Sequence, residues 1–145
     1  MVNLEKFNLL EKSCVSCTKC SLSKERINVV FGRGNPKAKI LIIGEGPGQQ
    51  EDEQGLAFVG RAGKMLDKSF LSVGIDTNTD CYISNIVKCR PPKNRKPKNN
   101  EVENCITWLS DQIELINPKI IVLAGSTAVQ SYLNTNQPIS KIRGK

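Results

Sequence analysis

Apolar residues in this chain gather in short blocks of two kinds. Three blocks are nearly continuous: residues 39–44 (KILIIG), 81–87 (CYISNIV) and 119–125 (KIIVLAG). Runs of that length, rich in β-branched residues, predict strands covered on both faces. The other blocks repeat at helical spacing. Leu4, Phe7 and Leu10 fit one face of a short N-terminal helix. Ala62, Met65, Leu66, Phe70 and Val73 predict the apolar side of a helix over about 61–73, stopped by Gly74. Val102, Cys105, Ile106, Leu109, Ile113 and Ile116 predict a helix over about 100–116, ended by Asn117-Pro118. Residues 126–133 predict a last helix, and residues 27–32 a short extended piece before a Gly-Asn-Pro turn. Strand and helix alternate, which implies an α/β fold with a parallel sheet and right-handed crossovers. Ligands of such folds bind at the carboxyl ends of strands. The Gly44-Glu45-Gly46-Pro47-Gly48 loop, Asn85 and Gly125-Ser126 all fall at that edge.

Composition narrows the class without changing the fold. With 145 residues, 39% hydrophobic and 24% charged, the chain suits one domain, residues 1–145. No run approaches the roughly 20 apolar residues of a membrane span. The N-terminus lacks the apolar core of a signal peptide, so the expected compartment is the cytoplasm. Charge is more informative. The net charge is +7, and residues 88–98 hold six of the 21 basic residues and no acid. The basicity is therefore local. It is either a solvated loop or a surface for a phosphate backbone, built on Lys93, Arg95, Lys96 and Lys98. Prolines at 91, 92 and 97 oppose a helix there and stiffen the segment. The chain has no histidine, which excludes His-based metal sites and catalysis within it.

The glycine-rich loop fails as a phosphate cradle. A dinucleotide fingerprint needs a third glycine where Gln49 stands, and a P-loop needs glycine at Phe58 and a hydroxyl at Met65. Glu45, Glu51 and Asp52 would repel a phosphate. A tight turn, or a site for a neutral or cation-like group, fits them better. The six cysteines are many for a reducing compartment. Cys14, Cys17 and Cys20 repeat at intervals of three, but the fourth cysteine of a ferredoxin-like run is replaced by Lys24. A four-thiolate site must recruit distant partners such as Cys89 and Cys105. Structural zinc, an iron–sulfur cluster and plain core packing all stay open on spacing.

As a set, these motifs resemble family 4 uracil-DNA glycosylases, the iron–sulfur type of bacteria and archaea. The matching stretches are Cys17-x-x-Cys20-x-Leu22 with Arg26, residues 29–32 (VVFG), 44–52 (GEGPGQQED), 57–63 (AFVGRAG), 82–97 (YISNIVKCRPPKNRKP), Cys105, and 141–145 (KIRGK). The resemblance implies a three-layer α/β/α fold around a central parallel sheet. It implies that Cys17, Cys20, Cys89 and Cys105 ligate a structural 4Fe–4S cluster, with Cys14 and Cys81 as spares. Residues 1–26 would be the N-terminal helix and cluster-binding segment.

The implied substrate is uracil-containing DNA, single- or double-stranded, acted on by a monomer. The uracil would be flipped into a pocket. Phe58 would stack on it, and Asn85 would bond its edge through the side-chain amide. Backbone groups of Glu45 and Gly46 would also bond the base. Glu51 would exclude the thymine methyl, and the Glu45 carboxylate would stabilise positive charge on the sugar. Gly46 stands where other branches place a water-activating Asp. The family also has a later strand and helix and a His-Pro-Ser loop, which these 145 residues lack, so the chain alone is expected to be poorly stable and weakly active or inactive. Two other functions compete: a non-catalytic iron–sulfur DNA-binding module and a zinc-stapled protein-interaction domain.

Overall fold

The computed structural model describes residues 3–144. Met1, Val2 and Lys145, the last residue of the Lys-Ile-Arg-Gly-Lys motif, lie outside them. Among the described residues, no helix is long and apolar enough to cross a membrane.

Helix α1 (Leu4–Cys14) starts at Asn3, whose side chain accepts a hydrogen bond from the Lys6 amide at 3.1 Å. The sheet contains β1 (Arg33–Gly34), β2 (Ile40–Gly44), β3 (Cys81–Asn85) and β4 (Ile120–Leu123), in spatial order β1-β3-β2-β4. Strand β2 is central and parallel to both neighbours, with Ile42 opposite Ile83 and Val122. The parallel sheet expected from the apolar runs is present. A two-residue antiparallel edge, β1 on β3, is added to it. The extended piece at residues 27–32 leads into that edge, and the Val30 amide donates to the Lys88 carbonyl at 2.7 Å.

Side chains of β2 alternate between two cores. Leu41 and Ile43 face Phe7, Phe31, Tyr82, Leu109 and Ile116, beneath α1 and α4 (Asn99–Ile116). Ile42 faces Val30, Ala57 and Ile83, with Leu66 and Phe70 of α3 (Arg61–Leu71) packed alongside. Helices thus cover both faces, the three-layer arrangement. Phe7 fixes α1 to the sheet by edge-to-face contacts, its ring centroid 5.4 Å from Phe31 and 5.3 Å from Tyr82.

Three differences from the sequence pattern have local causes. Helix α2 (Gln49–Gln54) carries no apolar stripe, so periodicity is silent where the chain nonetheless turns helical. A short α6 (Ile139–Ile142) follows α5 (Ser126–Leu133). The apolar face expected for α3 is rotated: Met65 is 69% exposed and Val73 is 71% exposed. Leu66 and Phe70 pack on the core as expected, and Gly63 and the partly exposed Asp67 share their side of the helix. Gly63 lies so close to the Phe58 carbonyl that any side chain would overlap it. Asp67 is drawn in by Arg33 at 2.9 Å. Close backbone packing and one ion pair outweigh two exposed apolar side chains.

Candidate active site

The parallel register places Gly44, the last residue of β2, beside Asn85, the last of β3. Because Gly44 lacks a side chain, the Phe58 ring and the Asn85 amide meet above it. A Cβ on Gly44 would lie 2.7 Å from Asn85 Oδ1 and overlap the ring. Asn85 is 1% exposed. Its Oδ1 is the one buried side-chain polar atom without a hydrogen-bond partner among the described residues. Leaving such an acceptor unpaired costs about 1–3 kcal/mol. An acceptor left free in this way is available to a ligand donor.

Phe58 is held in a left-handed backbone conformation, φ 53°, which a bulky residue rarely adopts. Two side chains over-determine it. Arg33 Nε donates to the Ala57 carbonyl at 2.6 Å and Nη2 to the Phe58 carbonyl at 2.9 Å. Glu51 accepts from the Val59 amide at 2.9 Å, the Gly60 amide at 2.6 Å and the Gly48 amide at 3.0 Å. Asp67 and Asn78 hold Arg33 from behind, at 2.9 and 2.8 Å. The Glu51 carboxylate is therefore a brace between two loops. Substituting Glu51→Ala strands three donors. The expected loss is about 2–4 kcal/mol of unfolding free energy, measured by urea denaturation.

The other acidic residues of the loop divide in the same way. Glu45 is half-buried, and its carboxylate accepts from Thr127 Oγ1 at 2.5 Å. Thr127 lies in the first turn of α5, so the bond ties the β2 loop to the element after β4. Asp52 is buried and accepts from the amides of Ile27 at 2.9 Å and Asn28 at 3.2 Å. Gly46 is needed for close approach, because a Cβ there would lie 2.7 Å from Val87 Cγ2.

Cys17, Cys20, Cys89 and Cys105 line one cavity with Leu22, Arg26 and Trp108. Three N–H donors face its sulfurs: Lys88 N to Cys105 at 3.2 Å, Trp108 Nε1 to Cys17 at 3.4 Å, and Arg26 Nη1 to Cys89 at 3.5 Å. Donors so placed favour thiolates. Burial pushes the Cys89 thiol up to about 11, against the pull of Arg26. Cys14 is buried nearby and burial pushes it up to about 12, the behaviour of a neutral thiol. Cys81 lies in the opposite core. Zinc would need sulfurs about 3.8 Å apart, given Zn–S bonds near 2.3 Å. Among the described residues, no three His, Cys, Asp or Glu side chains are arranged to hold a single ion. Four cysteines on one cavity, with N–H donors aimed at three of the sulfurs, are the surroundings that an iron–sulfur cluster uses. The residues present fit that group.

The basic segment after Cys89 holds a single 3-10 turn, Pro92–Asn94, and no α-helix. The six positive charges of residues 88–98 are not equivalent. Lys88 is 1% exposed and turned inward. Arg95 forms a two-point pair with Glu101, both bonds 2.8 Å, so its fork is filled internally. Lys93, Lys96 and Lys98 are exposed, and Arg90 is half-buried with its Nε donating to Asn94 Oδ1 at 2.7 Å. Arg95 is thus anchored on Glu101, while its side chain stays 34% exposed. The Arg95 hydrogen bonds lower the Glu101 pKa from 4.5 to about 2. Because the folded value is the lower one, the pair's stabilisation is complete above about 4.5 and is lost as pH falls through about 2. Glu101→Gln is expected to flatten the stability curve in that window, read from urea midpoints at successive pH values.

Residues 31–144 match the model of the uracil DNA glycosylase superfamily. The chain is 42% identical over 146 residues to the type-4 uracil-DNA glycosylase of Archaeoglobus fulgidus, covering 98% of this chain and 73% of that protein. It is 43% identical over 141 residues to the type-4 enzyme of Thermotoga maritima, covering 97% and 73%. With the type-4 enzyme of Sulfurisphaera tokodaii the identity is 42% over 150 residues, covering 100% and 66%. An aromatic ring and an unpaired amide over a bare glycine, in a chain related over nearly its whole length to these enzymes, have one common explanation: the chain belongs to the uracil-DNA glycosylase superfamily.

Proposed function

We propose that this chain is a uracil-DNA glycosylase of DNA repair, which hydrolyses the N-glycosidic bond of a flipped-out deoxyuridine to leave free uracil and an abasic site. One observation carries the reading: the buried, unpaired Asn85 Oδ1 beside the Phe58 ring over Gly44. A base inside a duplex is out of reach, so the nucleotide must leave the stack. Phe58 then stacks on its flat face. Asn85 accepts from uracil N3–H and donates to O4. Cytosine offers no N3 hydrogen and puts an amino group where uracil has O4, so the same amide rejects it.

Backbone groups of Glu45 and Gly46 complete the base contacts. The Glu45 carboxylate, fixed by Thr127, is suited to stabilise the oxocarbenium-like sugar as the bond breaks. Glu51 is assigned to the pocket wall that excludes the thymine methyl, and it acts through the loops it braces.

Cys17, Cys20, Cys89 and Cys105 would hold a 4Fe–4S cluster. When bound, that cluster supplies a structural cross-link between the N-terminal segment, residues 1–26, and the core. The proposed compartment is the cytoplasm, where such thiols stay reduced. The proposed form is a monomer of one domain. Lys93, Lys96 and Lys98 form the DNA track, with Arg95 holding it in place. Replacing those three lysines with alanine is expected to lessen the slope of log affinity against log salt by about 0.9 for each duplex phosphate no longer neutralised. Filter binding across a salt series measures it.

The test of the function is single-turnover release of uracil from single-stranded and duplex uracil DNA. Release above the uncatalysed background supports the enzyme. Salt-dependent DNA binding with no release would instead establish a non-catalytic DNA-binding module.

A further inference from the structure

Lys88 lies between the base pocket and the cysteine cavity. It follows β3 by three residues and opens the most basic stretch of the chain, yet it is 1% exposed. Its ammonium donates to Ser84 Oγ at 2.6 Å and to the Asn85 backbone carbonyl at 2.7 Å. Ser84 Oγ donates onward to Gln112 Oε1 at 2.7 Å, and Gln112 Nε2 donates to the Phe31 carbonyl at 2.8 Å. The chain of donors runs one way, away from the ammonium. Among the described residues, the ion pairs are Arg33–Asp67 and Arg95–Glu101, and neither includes Lys88.

A buried ammonium without a counter-charge is strongly unfavourable. Negative charge must reach it from a neighbour. The neighbour at hand is the cysteine site: Lys88 lines that cavity with Cys17, Cys20, Cys89 and Cys105. Its own amide also bonds Cys105 Sγ at 3.2 Å.

Resting on the cluster and base-pocket reading above, we infer that Lys88 is the counter-cation of the cysteine-held cluster and a positioning residue for Asn85. One side chain joins the two sites. The ammonium is held in the core by the thiolate charge, and it in turn fixes the carbonyl of the residue that bonds the base. This explains why a lysine stands immediately before Cys89 and points away from the DNA track that follows.

The test compares two variants in the full chain. Lys88→Met keeps length and removes charge. Ser84→Ala keeps the charge and removes one of the two hydrogen bonds that the ammonium donates. A cation near a cluster favours the reduced, more negative form. The reduction potential of K88M, from a redox titration of the visible band, is therefore expected to move to more negative values. Uracil release by K88M is expected to fall about tenfold, the equivalent of one charge-assisted hydrogen bond, with DNA affinity unchanged. S84A is expected to keep the wild-type potential and to release uracil more slowly. K88M at wild-type potential and rate would overturn the inference. If K88M does not fold, S84A decides it: wild-type release, or a shifted potential, overturns the inference.

Wild-type protein is measured first. Absence of the visible band or of uracil release there counts against the proposed function, and K88M and S84A are not needed to see it.

Discussion

Asn85→Ala will lower single-turnover uracil release by about 100-fold or more and leave the fold as stable as before, within about 1 kcal/mol. The two halves of that expectation have one cause. In the proposed function the amide makes its hydrogen bonds to the base, where a site built for a polar partner loses several kcal/mol of discrimination when that partner is removed. In the free protein the Asn85 Oδ1 bonds nothing. Its deletion therefore removes a buried unpaired acceptor as well as some packing. Most buried polar truncations destabilise; this one is expected not to, because the stability was already forgone for function. Quench-flow release on uracil DNA and urea denaturation of the same preparation check both halves. Unchanged release, or a destabilisation of about 3 kcal/mol or more, the scale of a broken buried network, would contradict the assignment.

The second large effect is expected at Cys105. Cys105→Ser should abolish the visible absorption band and the iron content. It should lower the folding stability by at least about 5 kcal/mol, since binding of a structural metal group is folding energy. For a chain of this size that corresponds to a fall in Tm of about 15 °C. The reason lies in the segment after α1. Residues 15–26 contain one 3-10 turn, Ser21–Lys24, and few backbone bonds. Arg26 Nη1 to the Cys17 carbonyl at 2.6 Å lies within the segment, and besides the cysteines it is tied to α4 by long bonds from Lys19 to Thr107 and from Ser21 to Glu101, each 3.4 Å. Cys14→Ala is the matched control. Its thiol is buried and pushed up to about 12 by that burial, and the variant should retain iron. Iron analysis and thermal melts of both variants check the pair. A C105S protein with full iron would remove Cys105 from the ligand set.

The parts of this molecule that were legible in the sequence are those written in repeated chemistry. Three apolar runs became three parallel strands. The spacing of Val102, Cys105, Leu109 and Ile116 marked the inner face of α4. The apolar pattern alone placed Asn85 at a strand's carboxyl end, whereas Phe58 was legible only through the motif around it. What the pattern did not convey is what charged side chains do once buried. Glu51, Asp52, Glu101 and Lys88 look like surface residues in a composition count, and each is committed to the backbone or to a buried partner. The rotation of α3 was hidden for the same reason. Arg33 on a two-residue strand and Asp67 on the helix are 34 positions apart, and no periodicity connects them.

The clamp on residues 57–60 has a consequence for how specificity can change. Carbonyls on one side and amides on the other are fixed by Arg33 and Glu51, not by the aromatic ring. The Cα–Cβ bond at position 58 therefore points the same way whatever side chain it carries. The backbone is a mount and the ring an interchangeable part. Tyrosine or tryptophan there would meet a base at the same angle and differ only in reach, so the depth at which a base is held can drift by single substitutions without rebuilding the pocket.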